Sequence, residues 1–519
     1  MLVSVDVAPA LAPALVERTL GLTPGPNDEL VGPMEHSGDE TAHLHASVAA
    51  HGSGSTITLE ATSNLRVPYF GWIVSGITRL AARAALRHAC GALTAAAAGD
   101  PPPPPPRRIP FLPPTAFSAE HASRLAAVAL VGALANFSGS LMTQNGGAVT
   151  DSFGRSDEAL GFALALSRVG VLFALVASAL ADRVGRRRLI LGGFATAALA
   201  NGVAALAPSF EVFTASQIVT RAALQCTVIV ASVAAVEDAP ESARAYSLSL
   251  FALALGLGFG VSVLLLPLAD LGDDGWRIAF AVSAATIVAL PSLSRNLRET
   301  TRYRALAART GKRGRVPEVF DRRYGFRFVL LGLTAFLTNV FAAPSSQLTN
   351  RYLTGTHDFS NSEVAVFRGI TAGVPGIFGI LVAGRLAESR GRRPVAVIGL
   401  LVASAFQIVF FLGDGALLWL MPSIAIIAAA CVGVAVGAVN TELFPTEVRG
   451  TSNGFLLVCG VAGAALGLLL ATQLKELVGG LGVGIAVCGI APLAAAVLVL
   501  PRLPETRARR LDDVSPSEV

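Results

Sequence analysis

Three arginines, Arg168, Arg221 and Arg368, stand inside long stretches of Ala, Leu, Val and Gly that carry almost no other charge. An ionisable side chain in such surroundings is costly unless it faces a cavity or a partner, so each is a candidate site residue. Arg168 precedes Asp182 by 14 residues and Arg221 precedes Glu237 by 16, or about 21 and 24 Å of helix, which sets both guanidiniums deep in their stretches. Arg368 precedes Glu388 by 20 residues, about 30 Å, a depth at which an arginine can snorkel to an interface. No Asp, Glu or His falls in the middle of any apolar stretch, and all seven histidines lie outside them. Guanidiniums without buried acidic partners make an electropositive surface suited to an organic anion such as a carboxylate, and hydrogen bonds to carbonyls between helices are the structural alternative. Asn136, Gln144, Asn339 and Gln347 would add neutral donors and acceptors, with helix–helix hydrogen bonding an equal account of them. The substrate-binding expectation is therefore Arg168, Arg221, Asn136, Gln144, Asn339 and Gln347.

A second group pairs carboxylates with glycine and arginine at the ends of apolar stretches: Asp182, Gly185 and Arg186, and again Glu388, Gly391 and Arg392. A carboxylate there can meet the positive N-terminal end of a neighbouring helix and pair with arginine, while the glycine permits a tight reversal. Glu237 with Arg244, and Glu442 with Arg449, repeat the arrangement. None sits deep enough to hold substrate. Gly256 to Gly260 echoes a dinucleotide loop, but it lies within an apolar stretch with no preceding strand and reads as helix packing. The five cysteines have no close spacing, which implies neither a disulfide framework nor a metal site. With no catalytic triad and no phosphate-binding loop, the expectation is a protein that is no enzyme and uses no cofactor or metal.

These residues must be positioned by a chain of 519 residues that is 53% hydrophobic and 14% charged. A soluble domain carries about a quarter charged residues, so this composition implies surface facing lipid. Forty Lys and Arg against 35 Asp and Glu give a net charge of +5, which reflects topology and no nucleic-acid partner. The start of the chain lacks the basic and apolar regions of a signal peptide, so insertion is expected from later segments. Pro101 to Pro106 and the prolines at 110, 113 and 114 make a semi-rigid spacer.

Ahead of the spacer, the pattern predicts two short strands at 43–49 and 56–62 and a helix at 77–98 with Arg79, Arg83 and Arg87 on one face. After it, twelve apolar stretches between 125 and 500 are each long enough to cross a bilayer. Arginines cluster at one set of loops, at 183–188, 295–327, 385–393 and 507–510, and are almost absent from the other, which by the positive-inside rule places both termini in the cytoplasm. The expected organisation is a cytoplasmic module at 1–98, a linker at 99–120, a first six-helix bundle at 121–294, a basic loop at 295–326, a second bundle at 327–501 and a tail at 502–519.

The two bundles are a duplication. Leu180 to Arg187 recurs as Leu386 to Arg393, Glu237, Pro240 and Arg244 as Glu442, Pro445 and Arg449, and Glu299-Thr300 as Glu505-Thr506, while Asn136 and Gln144 are matched by Asn339 and Gln347, all at offsets close to 205 residues. Over residues 125–510 the body resembles the major facilitator superfamily. Leu180 to Ile190 is similar to that family's loop signature between its second and third helices. Glu442-Leu443-Phe444-Pro445-Thr446-Glu447-Val448-Arg449-Gly450 and Pro504-Glu505-Thr506-Arg507 are similar to its sugar-porter and metabolite-symporter branches.

The resemblance implies an all-α membrane protein of twelve transmembrane helices in two pseudo-symmetric six-helix bundles, with a small N-terminal α+β module. It also implies alternating access, with Asp182, Gly185, Arg186, Glu388, Gly391, Arg392, Glu237, Arg244, Glu442 and Arg449 acting in gating. Arg221 occupies a place where the family often has an arginine tied to proton coupling, but Gln225 and Thr227 replace the expected glycines. The function expected is a multi-pass plasma- or inner-membrane transporter of a small polar metabolite, with an organic anion as candidate cargo and a proton or another ion as candidate co-substrate. It is expected to work as a monomer. Sugar or multidrug transport, and a membrane-anchored sensor built on residues 1–98, are the alternatives.

Overall fold

The computed structural model describes residues 2–7, 13–24, 29–34, 42–51, 54–63, 67–101, 103–104, 117–237, 239–240, 243–299, 322–443 and 446–504. The chain divides into two compact units, residues 1–132, 231–254 and 291–305, and residues 133–230, 255–290 and 306–519.

The first unit holds the N-terminal module. Its strands β1 (Leu2–Val7), β2 (Thr23–Pro24), β3 (Leu30–Pro33), β4 (Ala42–His51) and β5 (Gly54–Ser63) form an antiparallel sheet in the order β1-β5-β4-β3-β2. Alternation puts Ala42, Leu44 and Ala46 of β4 and Ile57, Leu59 and Ala61 of β5 into one core. Helix α1 (Pro13–Leu20) and the long α2 (Gly71–Ala98) complete the module, and α2 sends Leu86, Ala89 and Leu93 into the same core. Gly99, at a left-handed φ of 75°, ends α2 with its N–H on the carbonyls of Ala95 and Ala96. The sequence pattern predicts two strands where the sheet has five. β2 and β3 are too short to alternate visibly, whereas β1, with Val3, Val5 and Val7 alternating with Ser4 and Asp6, is a strand that its own pattern supports.

The membrane body is helical. In chain order its longer helices are α3 (Ala119–Ser152), α4 (Asp157–Val184), α5 (Arg186–Ala205), α6 (Phe210–Glu237), α7 (Arg244–Leu264), α8 (Trp276–Ala285, continuing as α9, Leu290–Asn296), α10 (Arg322–Gln347), α11 (Thr349–Thr356), α12 (Asn361–Arg368), α13 (Val374–Arg390), α14 (Arg392–Leu412), α15 (Ala416–Leu443) and α16 (Thr446–Gln473), followed by the short α17 (Lys475–Val478), α18 (Leu481–Cys488) and α19 (Ile490–Ala494). Among the described residues, 11 helical segments are long and apolar enough to cross a membrane. The 28-residue α4 lies between two of them, in the place of the second of the twelve predicted spans. A π turn at Gly369–Gly373 joins α12 to α13.

Within the second unit, the contacts show why glycine recurs in the apolar stretches. A Cβ on Gly258 would overlap the Ala133 carbonyl oxygen, and one on Gly463 would overlap that of Phe336. The fifth and first spans of one bundle thus meet as the eleventh and seventh of the other do, so the repeat in sequence is a repeat in packing. Gly258 lies at the centre of the glycine cluster read as helix packing. Gly185 and Gly391 take left-handed φ values of 100° and 97° between consecutive helices, the reversal that a side chain would strain.

Candidate functional site

The deep arginines lie on adjoining helices of the second unit. Gly170, two residues beyond Arg168, lets α4 rest on α6, since a Cβ there would stand 2.7 Å from the Ile218 carbonyl and 3.4 Å from the Arg221 Cβ. Arg221 donates from Nη2 to Thr143 Oγ1 at 3.3 Å. The Gln347 amide, turned with its oxygen toward Arg168, accepts from Nη2 and Nε of that guanidinium, at 3.2 Å from Nε. Arg168 of the first bundle and Gln347 of the second are therefore brought together.

Gln144 is buried beside Thr143 and joins a second chain of polar contacts. Its Oε1 and its main-chain oxygen accept from Asn350 Nδ2 at 2.8 and 3.0 Å. Asn350 Oδ1 accepts from Arg368 Nε at 2.9 Å, and Arg368 Nη2 donates to the Ser346 carbonyl at 3.0 Å. Arg368 is thus held by an amide and a peptide carbonyl, which satisfy two of its donors.

Among the described residues, Arg221 Nε and Gln144 Nε2 have no protein acceptor. The set is rich in N–H groups and, among the described residues, contains no carboxylate, so what it can accommodate is a group presenting several acceptor oxygens. The other two amides face elsewhere. Asn136 donates to the Leu255 carbonyl on α7 at 2.7 Å, and Asn339 donates to Ala335 of its own helix at 2.9 Å.

At the end of the body where α4 begins, side chains from both bundles form an ionic cluster that the sequence pattern did not reveal. Arg351 donates from Nε to Asp157 Oδ1 at 2.6 Å and from Nη1 to Asp151 Oδ2 at 2.7 Å, and Lys475 Nζ reaches Asp157 Oδ2 at 2.7 Å. Asp157 is buried. Burial would raise its pKa, but hydrogen bonds and charge from Lys475 and Arg351 outweigh that and hold the carboxyl below its ordinary value. In the same unit, Asp270 accepts the backbone N–H groups of Asn361 and Ser362 at the start of α12 at 3.0 and 2.8 Å, an N-terminal capping contact. Gly161 of α4 lies against Thr472 of α16, with a Cβ there 3.0 Å from that of Thr472. No signal in the sequence picks these residues out, since charge is ordinary at the ends of these helices.

Of the expected gating residues, Arg186 is buried at the start of α5 and Arg392 half-buried at the start of α14. Glu237 closes α6 and Arg244 opens α7, the first half-buried and the second exposed. The side chains of Asp182, Glu388, Glu442 and Arg449 lie outside the described residues.

A model of the family described as Major Facilitator Superfamily matches residues 109–378 and again 347–516. A protein of Aspergillus flavus described as MFS-type transporter lnaF is 25% identical over 203 residues, which are 37% of this chain and 40% of that protein. The match thus spans about two fifths of that relative's length. Among solved structures, the chain is similar to the xylose transporter XylE from E. coli in an inward open conformation, with a TM-score of 0.63 and 16% identity over 76% of this chain and 99% of that one. It is similar to a bacterial homolog of the human lysosomal transporter Spinster, inward-facing and occupied, with a TM-score of 0.58 and 19% identity over 73% of this chain and 94% of that one. It is also similar to the human organic anion transporter MFSD10, with a TM-score of 0.53 and 19% identity over 73% of this chain and 99% of that one. At such identities the likeness is one of fold.

Proposed function

The chain belongs to the Major Facilitator Superfamily, and from that premise we propose that it carries a small organic anion across a plasma or inner membrane by alternating access. The observation that carries the reading is the donor-rich set around Arg168 and Arg221, with Gln347, Thr143 and Gln144 beside it and Arg221 Nε and Gln144 Nε2 lacking acceptors among the described residues. A carboxylate supplies both the counter-charge and the oxygens. A neutral sugar would leave two guanidiniums uncompensated in the membrane, which is why the fold likeness to a xylose transporter does not decide the cargo. A transporter of organic anions shares the fold as well.

In this mechanism the Asp157–Arg351–Lys475 cluster and the Gln144–Asn350–Arg368 chain hold the outer side shut. Substrate enters from the opposite side and is held between Arg168 and Arg221. The bundles then rock, the outer contacts separate, and Asp182, Gly185, Arg186, Glu388, Gly391, Arg392, Glu237, Arg244, Glu442 and Arg449 close the cytoplasmic side. Both termini are cytoplasmic, and a monomer is the working unit.

Reconstitution into liposomes tests this. Uptake of carboxylates, sugars and organic cations is measured under imposed proton or sodium gradients, with the chain intact and with Arg168→Gln and Arg221→Gln. Selective carboxylate uptake that both substitutions depress is expected. Equal uptake of neutral sugars, or indifference to both substitutions, overturns the anion reading.

A further inference from the structure

We propose that the exposed face of α2 is a docking surface for the anionic phospholipid headgroups of the membrane in which the chain itself sits. Trp72, Gly76, Arg79, Leu80, Arg83 and Arg87 are all exposed; apart from the adjacent pair Arg79 and Leu80 they follow one another at steps of three or four residues, which places them along one stripe of the helix. Trp72 is 77% and Leu80 55% exposed. The opposite face, with Ala81, Leu86, Ala89, Ala92 and Leu93, is buried, so the stripe is what the module leaves over after its own core is made. From Gly71 to Ala98 there is no Asp or Glu. Among the described residues, none of the three guanidiniums has an ionic or hydrogen-bonding partner. Basic residues with an exposed indole and leucine are the composition of a helix that lies at a lipid interface, the indole at headgroup level and the arginines on phosphates.

Charge complementarity would fit any polyanion, but a contact within the first unit selects the bilayer. Tyr69, two residues before α2, takes a left-handed φ of 67°, rare for an aromatic residue and maintained only where the surroundings hold it. Its hydroxyl lies 2.8 Å from Ser292 Oγ and accepts from Asn296 Nδ2 at 2.8 Å. Asn296 is the last residue of the membrane-crossing segment Trp276–Asn296. The first turn of α2, and Trp72 with it, is thereby pinned to the end of a membrane helix, at the level where headgroups begin. A soluble partner would have to compete with a lipid surface already in reach.

The full chain, reconstituted in vesicles whose acyl chains carry bromine, provides the test, with Trp72 isolated by subtracting the emission of a Trp72→Phe variant. In vesicles containing phosphatidylglycerol the Trp72 component is expected to be blue-shifted and quenched. That quenching should fall away in pure phosphatidylcholine and in an Arg79→Gln/Arg83→Gln/Arg87→Gln variant, and persist when the same three are changed to Lys, which also shows that substitution at these positions leaves the module folded. An unquenched Trp72 in every vesicle overturns the proposal, whether the residue is then in water or covered by a protein. Equal quenching with and without anionic lipid, or in the Gln variant, overturns it too.

Discussion

Gly258 against Ala133 in the first bundle and Gly463 against Phe336 in the second are one contact made twice, whereas Arg168 and Arg221 of the first bundle have Val374 and Ile426 at the corresponding offsets in the second. The same divergence touches the paired amides. Asn136 binds the carbonyl of a neighbouring helix while Asn339 binds its own, and Gln144 meets Asn350 while Gln347 meets Arg168. Packing has been kept through duplication, because a backbone contact admits no side chain. Charge at these two positions has not, and no backbone contact depends on it.

The largest effects should expose that asymmetry. Arg221→Gln or Arg168→Gln removes a charge-assisted contact to an anionic substrate, a loss of about 1.5–3 kcal/mol or roughly 10- to 150-fold in uptake. Ile426→Gln, at the matching position, should leave uptake within about threefold, since it adds no charge and removes none. A comparable loss at both positions would mean that the two halves share the binding of cargo equally.

The conserved contact should fail symmetrically. Gly258→Val and Gly463→Val each force a side chain into a carbonyl oxygen of the facing helix, at the upper end of the about 1–3 kcal/mol seen for overpacking. Thermal unfolding of the detergent-solubilised protein, followed by size-exclusion chromatography, should fall by similar amounts for the two. Tolerance in one bundle alone would break the structural equivalence.

A smaller difference is expected at the amides. Asn136→Ala loses an interhelical hydrogen bond, of about 0.6–1.7 kcal/mol by membrane-protein measurements, and Asn339→Ala loses a bond within one helix and should change the same melting profile less. The reverse order would assign Asn339 a partner beyond its own helix.

How much could be read beforehand follows from what the bilayer enforces. Spans, repeat and reversals were legible because hydrocarbon demands apolar runs, and because Gly185 and Gly391 need backbone angles that few residues adopt. Arg168 and Arg221 were legible for the complementary reason, that charge in such a run is an exception. The cluster of Asp157 with Arg351 and Lys475 was not, since its members are 194 and 318 positions apart and sit at helix ends where charge is ordinary. The sheet of the module was half legible. β4 and β5 alternate over ten residues each, while β2 and β3 are strands through their pairing.

The smallest expected effect is a flat one, and it separates the outer cluster from the deep arginines. Asp157 is held below its ordinary pKa by Lys475 and Arg351 against the cost of burial. When the outer side opens and these partners separate, the carboxyl returns to about 3.9. The closed state therefore gains its full stabilisation above that ordinary value and loses it as the outer pH falls through the depressed one. Across the range of about pH 5 to 8 the gain is constant, so an outer latch made of this cluster would not sense protons there. Maleimide labelling of a Thr472→Cys variant, buried against Gly161 while the outer side is shut, reads the opening once the labelling of the unsubstituted chain is subtracted and the rate is divided, at each pH, by that of a free model thiol, because only the thiolate reacts. It should be level through neutrality and rise only in acid, and Asp157→Asn should raise the level and abolish the rise. A step near neutral pH would show that another group, with a pKa in that range, sets the equilibrium between the two faces, and proton coupling would then have to be sought at that group.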